Sequence, residues 1–186
     1  MTVRARRGLA VVGVALAAAL TMAGCSAHPG VAATVGDRTI SQDELASTQR
    51  ELATLLNDSS PAGVLAVLIE TPLFVDAAAE HGIGISADDA TALLTQVSST
   101  AGLEEPEAWS QGSIDVARFT LAVQGLQKVD GGADLLTELK TKAADLDVTV
   151  NPQYGTWQDG TVAPLDQPWI ATPSAGDGAA SAPAAP

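Results

Sequence analysis

Residues 63–82 read GVLAVLIETPLFVDAAAEHG and are apolar nearly all round. A surface helix carries one apolar stripe, so a helix apolar on every side has to be a central element that others cover. Ser60-Pro61 opens it, with proline at the tolerated first helical position, and Gly82 is placed to cap its end. Pro72 lies in its interior, where the missing N–H and the ring clash cost about 3 kcal/mol. Thr71-Pro72 also reads as an N-cap followed by a first-turn proline. A kink or a restart is expected there.

The covering elements follow from helical grammar. Ser41-Gln42-Asp43-Glu44 is a capping box, with Ser41 as N-cap and Glu44 reaching back. The helix it opens puts Leu45, Leu52, Leu55 and Leu56 on one face and ends near Asn57. Ser86-Ala87-Asp88-Asp89 is a second capping start. After it, Ala90, Leu93, Leu94 and Val97 recur at i, i+3, i+4 and i+7, the spacing of an amphipathic helix. A short acidic helix is expected over Glu104–Ser110, with Trp109 inward. Ser113 is expected to cap a long helix carrying Phe119, Ala122, Val123 and Leu126 inward, broken by Asp130-Gly131-Gly132. A last helix, Ala133 to Asp145, turns Leu135, Leu136, Leu139, Ala143 and Leu146 to the core. At the two ends, VAATV (31–35) meets the two-residue turn Gly36-Asp37 before RTI, and DVTVNP (147–152) alternates until Pro152 stops it. Aromatics are only 3% of the chain, so the core is built from Leu, Val and Ala. The expected fold is mostly α, with a short β pairing between the N- and C-terminal ends of the domain.

The first 25 residues have an address. Arg4, Arg6 and Arg7 precede an uncharged apolar run from Leu9 to Leu20. Twelve helical residues span about 18 Å, too short for a hydrocarbon core of about 30 Å, so the run reads as a signal peptide. Its ending, Met22-Ala23-Gly24-Cys25, resembles the bacterial lipobox, in which the cysteine is lipidated before cleavage. Met22 departs from the usual leucine. An ordinary secreted protein with a chance cysteine at the cleavage site is the alternative. Lipidation at Cys25 would give stable anchoring, because each buried methylene contributes about 0.8 kcal/mol. Expected boundaries are therefore a lipoprotein signal peptide at 1–24, a lipidated tether at 25–30, a helical domain at 31–157 and a disordered tail at 158–186. That tail holds five of the ten prolines, and Trp169 and Ile170 are its only sticky residues.

Charge and composition exclude several functions. The formal charge is −13, and removing residues 1–24, which carry three arginines and no acid, takes it to −16. Such a chain repels phosphate backbones, so no nucleic-acid partner is expected. The two histidines, His28 and His81, are too few and too far apart in sequence for a paired-imidazole site, and His81 reads as a cation at a helix C-terminus. Gly82-Ile83-Gly84 follows a helix rather than a strand, so those glycines are helix-ending punctuation and no dinucleotide fingerprint. Asp145, Asp147 and Asn151 fail as a calcium loop, because Val150 and Thr156 stand where glycine and glutamate are required. Glu104, Glu105 and Glu107 read as solvated carboxylates at a helix start. No enzyme, metal or cofactor is expected.

Three stretches resemble the SurA/PrsA-type extracytoplasmic foldases. VAATVGDRTISQDEL (31–45) is similar to the opening strand, glycine turn and serine-capped helix of that family. Leu68-Ile69, Leu73-Phe74, Ala78-Ala79 and Gly82-Ile83 are similar to its second helix, and DVTVNPQYGTW (147–157) to its closing strand. The chain departs from the family where a parvulin prolyl isomerase domain normally sits, since Lys128–Gly132 leads directly into the last helix. The resemblance therefore implies the helical chaperone module alone, and the Cys25 ending would tether it on the outer face of the cell membrane. It implies a chaperone-like lipoprotein that binds unfolded or exported polypeptides without isomerase activity. Candidate groove residues are Phe74, Leu94, Val97, Trp109 and Phe119. The alternative is a structural or adaptor lipoprotein with one envelope partner.

Overall fold

The computed structural model describes residues 29–165. The signal peptide, Cys25, the tether up to His28 and the segment from Asp166 on, with Trp169 and Ile170, lie outside the described residues.

Val31–Val35 (β1) and Arg38–Ser41 (β2) form an antiparallel hairpin across Gly36, whose φ of +54° suits a residue without a Cβ. Val148–Val150 (β3) pairs antiparallel on the other side of β1, with Ala33 opposite Val150 and Val35 opposite Val148. Asn151 continues the seam, its backbone N–H donating to the Ala32 carbonyl and its Nδ2 to that of Val31. The expected pairing of the two ends is present. Five helices lie between them: Gln42–Leu52 (α1), Pro61–Glu80 (α2), Ala87–Ala101 (α3), Gln111–Leu126 (α4) and Gly132–Ala144 (α5). A second hairpin, Thr156–Gln158 (β4) with Thr161–Ala163 (β5), follows β3.

α2 is central, as its composition requires. It has the length and hydropathy of a membrane span, yet it packs against α1, α4, α5, β1 and β5. Its first half contributes Val64, Leu65, Leu68 and Ile69 to one core cluster, with Ala33, Ile40, Leu45, Leu52, Ala90, Leu94 and Val116. Its second half contributes Phe74, Ala77 and Ala78 to another, with Ala122, Leu126 and Leu139. It ends in a Schellman turn at Gly82 (φ +75°), where Ile83 N–H reaches the Ala78 carbonyl.

Pro72 does not restart α2. Thr71 is no N-cap, because its hydroxyl donates back to the Val67 carbonyl at 2.7 Å. Proline leaves the Leu68 carbonyl without its helical donor, and Arg38 supplies one, Nη1 to O at 3.1 Å. The other arm of Arg38 meets Asp115 Oδ2 at 2.7 Å, and Gln111 donates to Oδ1 at 3.0 Å. The helix runs on because the strand beside it repairs the gap.

Several further expectations are corrected. Glu44 does not complete the box at Ser41; Ser41 caps Glu44 N–H, while the Glu44 carboxylate lies 3.7 Å from Arg38. The full reciprocal box forms at Ser86 and Asp89 instead. α1 ends at Leu52, so Leu55 and Leu56 pack from the turn beyond it. No helix covers 104–110, where Pro106 withholds a backbone donor, although Trp109 turns inward as expected and packs against the first core cluster. α4 starts three residues earlier than expected, at the N-cap Ser110, and Ser113 is buried inside its first turn. Finally, β4 crosses the expected domain boundary at 157. Val162, 8% exposed, packs into the core beneath it, so the ordered body continues to β5.

Candidate functional site

A cleft of about 310 Å³ opens where the end of α1, the end of α3 and the α3–α4 loop meet. Arg50, Glu51 and Thr54 line it from the α1 side. Ser98 lines it from α3, and Leu103, Glu104, Glu105, Pro106 and Trp109 from the loop.

Local chemistry builds each wall. Gly102, at φ +67°, ends α3 in the left-handed region, and Leu103 N–H bonds back to the Ser98 carbonyl at 2.9 Å. That turn presents Leu103 to solvent at the mouth of the cleft. Glu105 is pinned to α3 by the Thr95 hydroxyl, which donates to Oε2 at 2.9 Å. Trp109 is half-buried directly before the N-cap of α4. Glu51 ties α1 to that N-terminus: its Oε2 accepts from Ser110 N–H (3.0 Å), Ser110 Oγ (2.8 Å) and Ser113 Oγ (2.6 Å). A carboxylate there satisfies an orphan helix donor and complements the macrodipole. Hydrogen bonds hold Glu51, Glu105 and the Leu103 turn, and three carboxylates, Glu51, Glu104 and Glu105, share the cleft lining with one cation, Arg50, and the Trp109 indole.

The five expected groove residues do not form one surface. Phe74 (1% exposed) and Leu94 (4%) are core residues of different clusters. Phe119 is half-buried against Phe74, ring centroids 4.8 Å apart and planes at 58°, so it braces the second cluster. Val97 is exposed on α3, and the helical position after it, Ser98, is the one that turns inward. Trp109 alone lines the cleft. Buried Phe74 and Leu94 offer nothing to a partner in this arrangement.

Glu104, Glu105 and Glu107 are exposed, as solvated carboxylates should be, but they stand in a loop rather than at a helix start, and Glu104 and Glu105 line the cleft. Arg50 and Glu51 carried no local signal, because only the tertiary meeting of α1 with α4 gives them a role. His81 stands at the C-cap of α2, exposed, with its N–H on the Ala77 and Ala78 carbonyls. Cys25 lies outside the described residues.

Comparison of the chain with protein-family models, with curated proteins and with solved structures finds no match. The functional reading rests on sequence and geometry.

Proposed function

We propose that the chain is a membrane-anchored, extracytoplasmic chaperone-like lipoprotein that binds unfolded or exported polypeptides and has no prolyl isomerase activity. The observation that carries this reading is the cleft at Trp109. It combines exposed apolar side chains, Leu103 and Pro106, with an acidic rim on a protein whose net charge keeps it soluble. The absence of isomerase activity is supported by connectivity. α4 ends at Leu126 and α5 begins at Gly132, and the five residues between them cannot hold a second domain. Anchoring is supported by the Met22-Ala23-Gly24-Cys25 ending.

The size of the cleft favours a second reading. A space of about 310 Å³ takes on the order of one or two side chains, as an adaptor contacting one specific envelope partner would need. Client breadth separates the two. Several unrelated unfolded proteins are diluted from denaturant with and without the chain at equal molar ratio, and light scattering is followed. Suppression for most of them is expected of a holding chaperone; suppression for none leaves the adaptor.

A further inference from the structure

We propose that the end of the domain where the chain enters it, formed by residues 29–31, 41–42 and 151–154, lies against the lipid headgroups of the membrane and leaves the cleft clear of the bilayer. This rests on Cys25 carrying the lipid and names the surface that meets the membrane.

Reach is the first reason. Five peptide units separate Cys25 from Gly30, so in any conformation they extend at most about 18 Å. A compact body of the length of residues 29–165 is roughly 35 Å across. A tether half as long as the body is wide cannot let it roll over. Any surface that touches the bilayer must leave Gly30 within that reach of it.

Hydrogen bonds define what stands beside that point. The Gly30 carbonyl accepts from Gln42 N–H at 2.8 Å, which brings the start of α1 against the entering strand. The Val31 carbonyl accepts from Asn151 Nδ2 at 3.0 Å. Asn151 in turn holds a tight turn, its Oδ1 accepting from Gln153 N–H at 3.1 Å and its carbonyl from Tyr154 N–H at 2.9 Å. Three segments far apart in sequence meet at the entry.

Charge is an independent reason. The nine residues of these segments include no Asp, Glu, Lys or Arg, in a chain that carries 22 acids and 9 bases. Asp43, exposed in the first turn of α1, borders them. An anionic headgroup layer repels carboxylates that come within a Debye length of about 8–10 Å, so the surface that can rest on it is one that lacks them. Pro152 and Gln153 are exposed there, and Tyr154 is half-buried, a side chain whose apolar ring and polar tip suit the headgroup level. The acidic cleft lies elsewhere. α1 has 11 residues, a length of about 16 Å, and it carries the chain from Gln42 beside the entry to Arg50 and Glu51 at the cleft. The cleft stays open to a polypeptide while the neutral end faces the lipid.

The test uses the full lipidated chain in vesicles of phosphatidylcholine and phosphatidylglycerol. Cys25 is the single cysteine and its thiol is taken by the lipid, so a cysteine introduced elsewhere is the one reactive thiol. Gln153→Cys and Thr54→Cys each change an exposed residue, the first on the entry surface and the second lining the cleft. Each variant carries a fluorophore, and a lipid with a nitroxide on its headgroup quenches whatever lies at the surface. Quenching at 153 is expected to exceed that at 54 by about threefold or more, since the length of α1 separates them. Inserting about twenty Gly/Ser residues after Ala27 adds up to about 70 Å of reach, and the ratio should then fall below about 1.5-fold. Equal quenching, stronger quenching at 54, or a ratio that the insertion leaves unchanged overturns the proposal. Vesicle flotation separates its failure from that of anchoring. Protein that fails to float overturns the lipid anchor and this surface with it. Protein that floats without the difference in quenching overturns the surface alone.

Discussion

Residue 72 being proline, the Leu68 carbonyl has no helical donor, and Arg38 fills that role from the neighbouring strand while neutralising Asp115. Asp115 is 7% exposed, so removing Arg38 takes the nearest cation from a nearly buried carboxylate and leaves it to Gln111 and to Arg118, 3.7 Å away. Arg38→Met is expected to destabilise by about 2–4 kcal/mol, measured by urea unfolding. Pro72→Ala restores an N–H to the same carbonyl, and the two substitutions should couple by about 0.5–1 kcal/mol in a double-mutant cycle. Strict additivity would mean that Arg38 acts on Asp115 alone. A second single-residue effect lies on the same helix. Burial raises the Glu70 carboxyl from 4.5 to about 7, against the pull of Lys140. Below pH 4.5 Glu70 is protonated folded or unfolded, and its contribution is fully present. As pH rises, the unfolded chain ionises first, and stability is lost as pH climbs through about 7. Glu70→Gln should therefore be neutral at about pH 4 and stabilising at about pH 8, by on the order of 1 kcal/mol once solvent screening is allowed for. An equal change in melting temperature at both pH values would contradict this.

At the scale of elements, the β4–β5 hairpin seals the body where α2 and α5 would otherwise meet water. Trp157 Nε1 donates to the Ala143 carbonyl at 3.2 Å, and Val162 packs against the core. Ending the chain after Gln158 should cost about 2–4 kcal/mol relative to ending it after Leu165, read as a fall in melting temperature. Equal stability would restore the boundary at 157. The turn of this hairpin carries a local signal that the expected tail at 158–186 passed over: Asp159 and Gly160 both have positive φ, 51° and 76°, and Asp-Gly is the usual pair for such a two-residue turn. Three-residue strands flanked by proline and glycine hid it, since so short a stretch has little alternation to read. The helix starts at Ser60 and Ser86 were legible because their caps are local. Ser113 misled because Ser110, three residues before it, is an equally good cap, and the choice between them is made by Glu51 from another helix. The cleft was mostly illegible for the same reason, with Trp109 its one residue that sequence suggested. Its walls come from α1, α3 and a loop, and the alignment of Arg50 and Glu51 with Glu104 and Glu105 exists only after packing.

For the molecule as a whole, location and activity are separate claims. Cys25→Ala should move the protein from the membrane fraction to the soluble fraction. Membrane retention with normal processing would contradict lipid anchoring. The central claim, polypeptide binding without catalysis, is tested most directly by the refolding of a proline-limited substrate in the presence of excess chain. Uncatalysed isomerisation crosses a barrier of about 20 kcal/mol and takes tens of seconds, so even weak catalysis would be visible. A protein that binds the unfolded form should slow refolding and suppress aggregation together, because it stabilises the state that both processes consume. The account predicts both effects, growing with chain concentration, and a slow phase that is never accelerated. A concentration-dependent acceleration of that phase, or no effect on either rate, would contradict it.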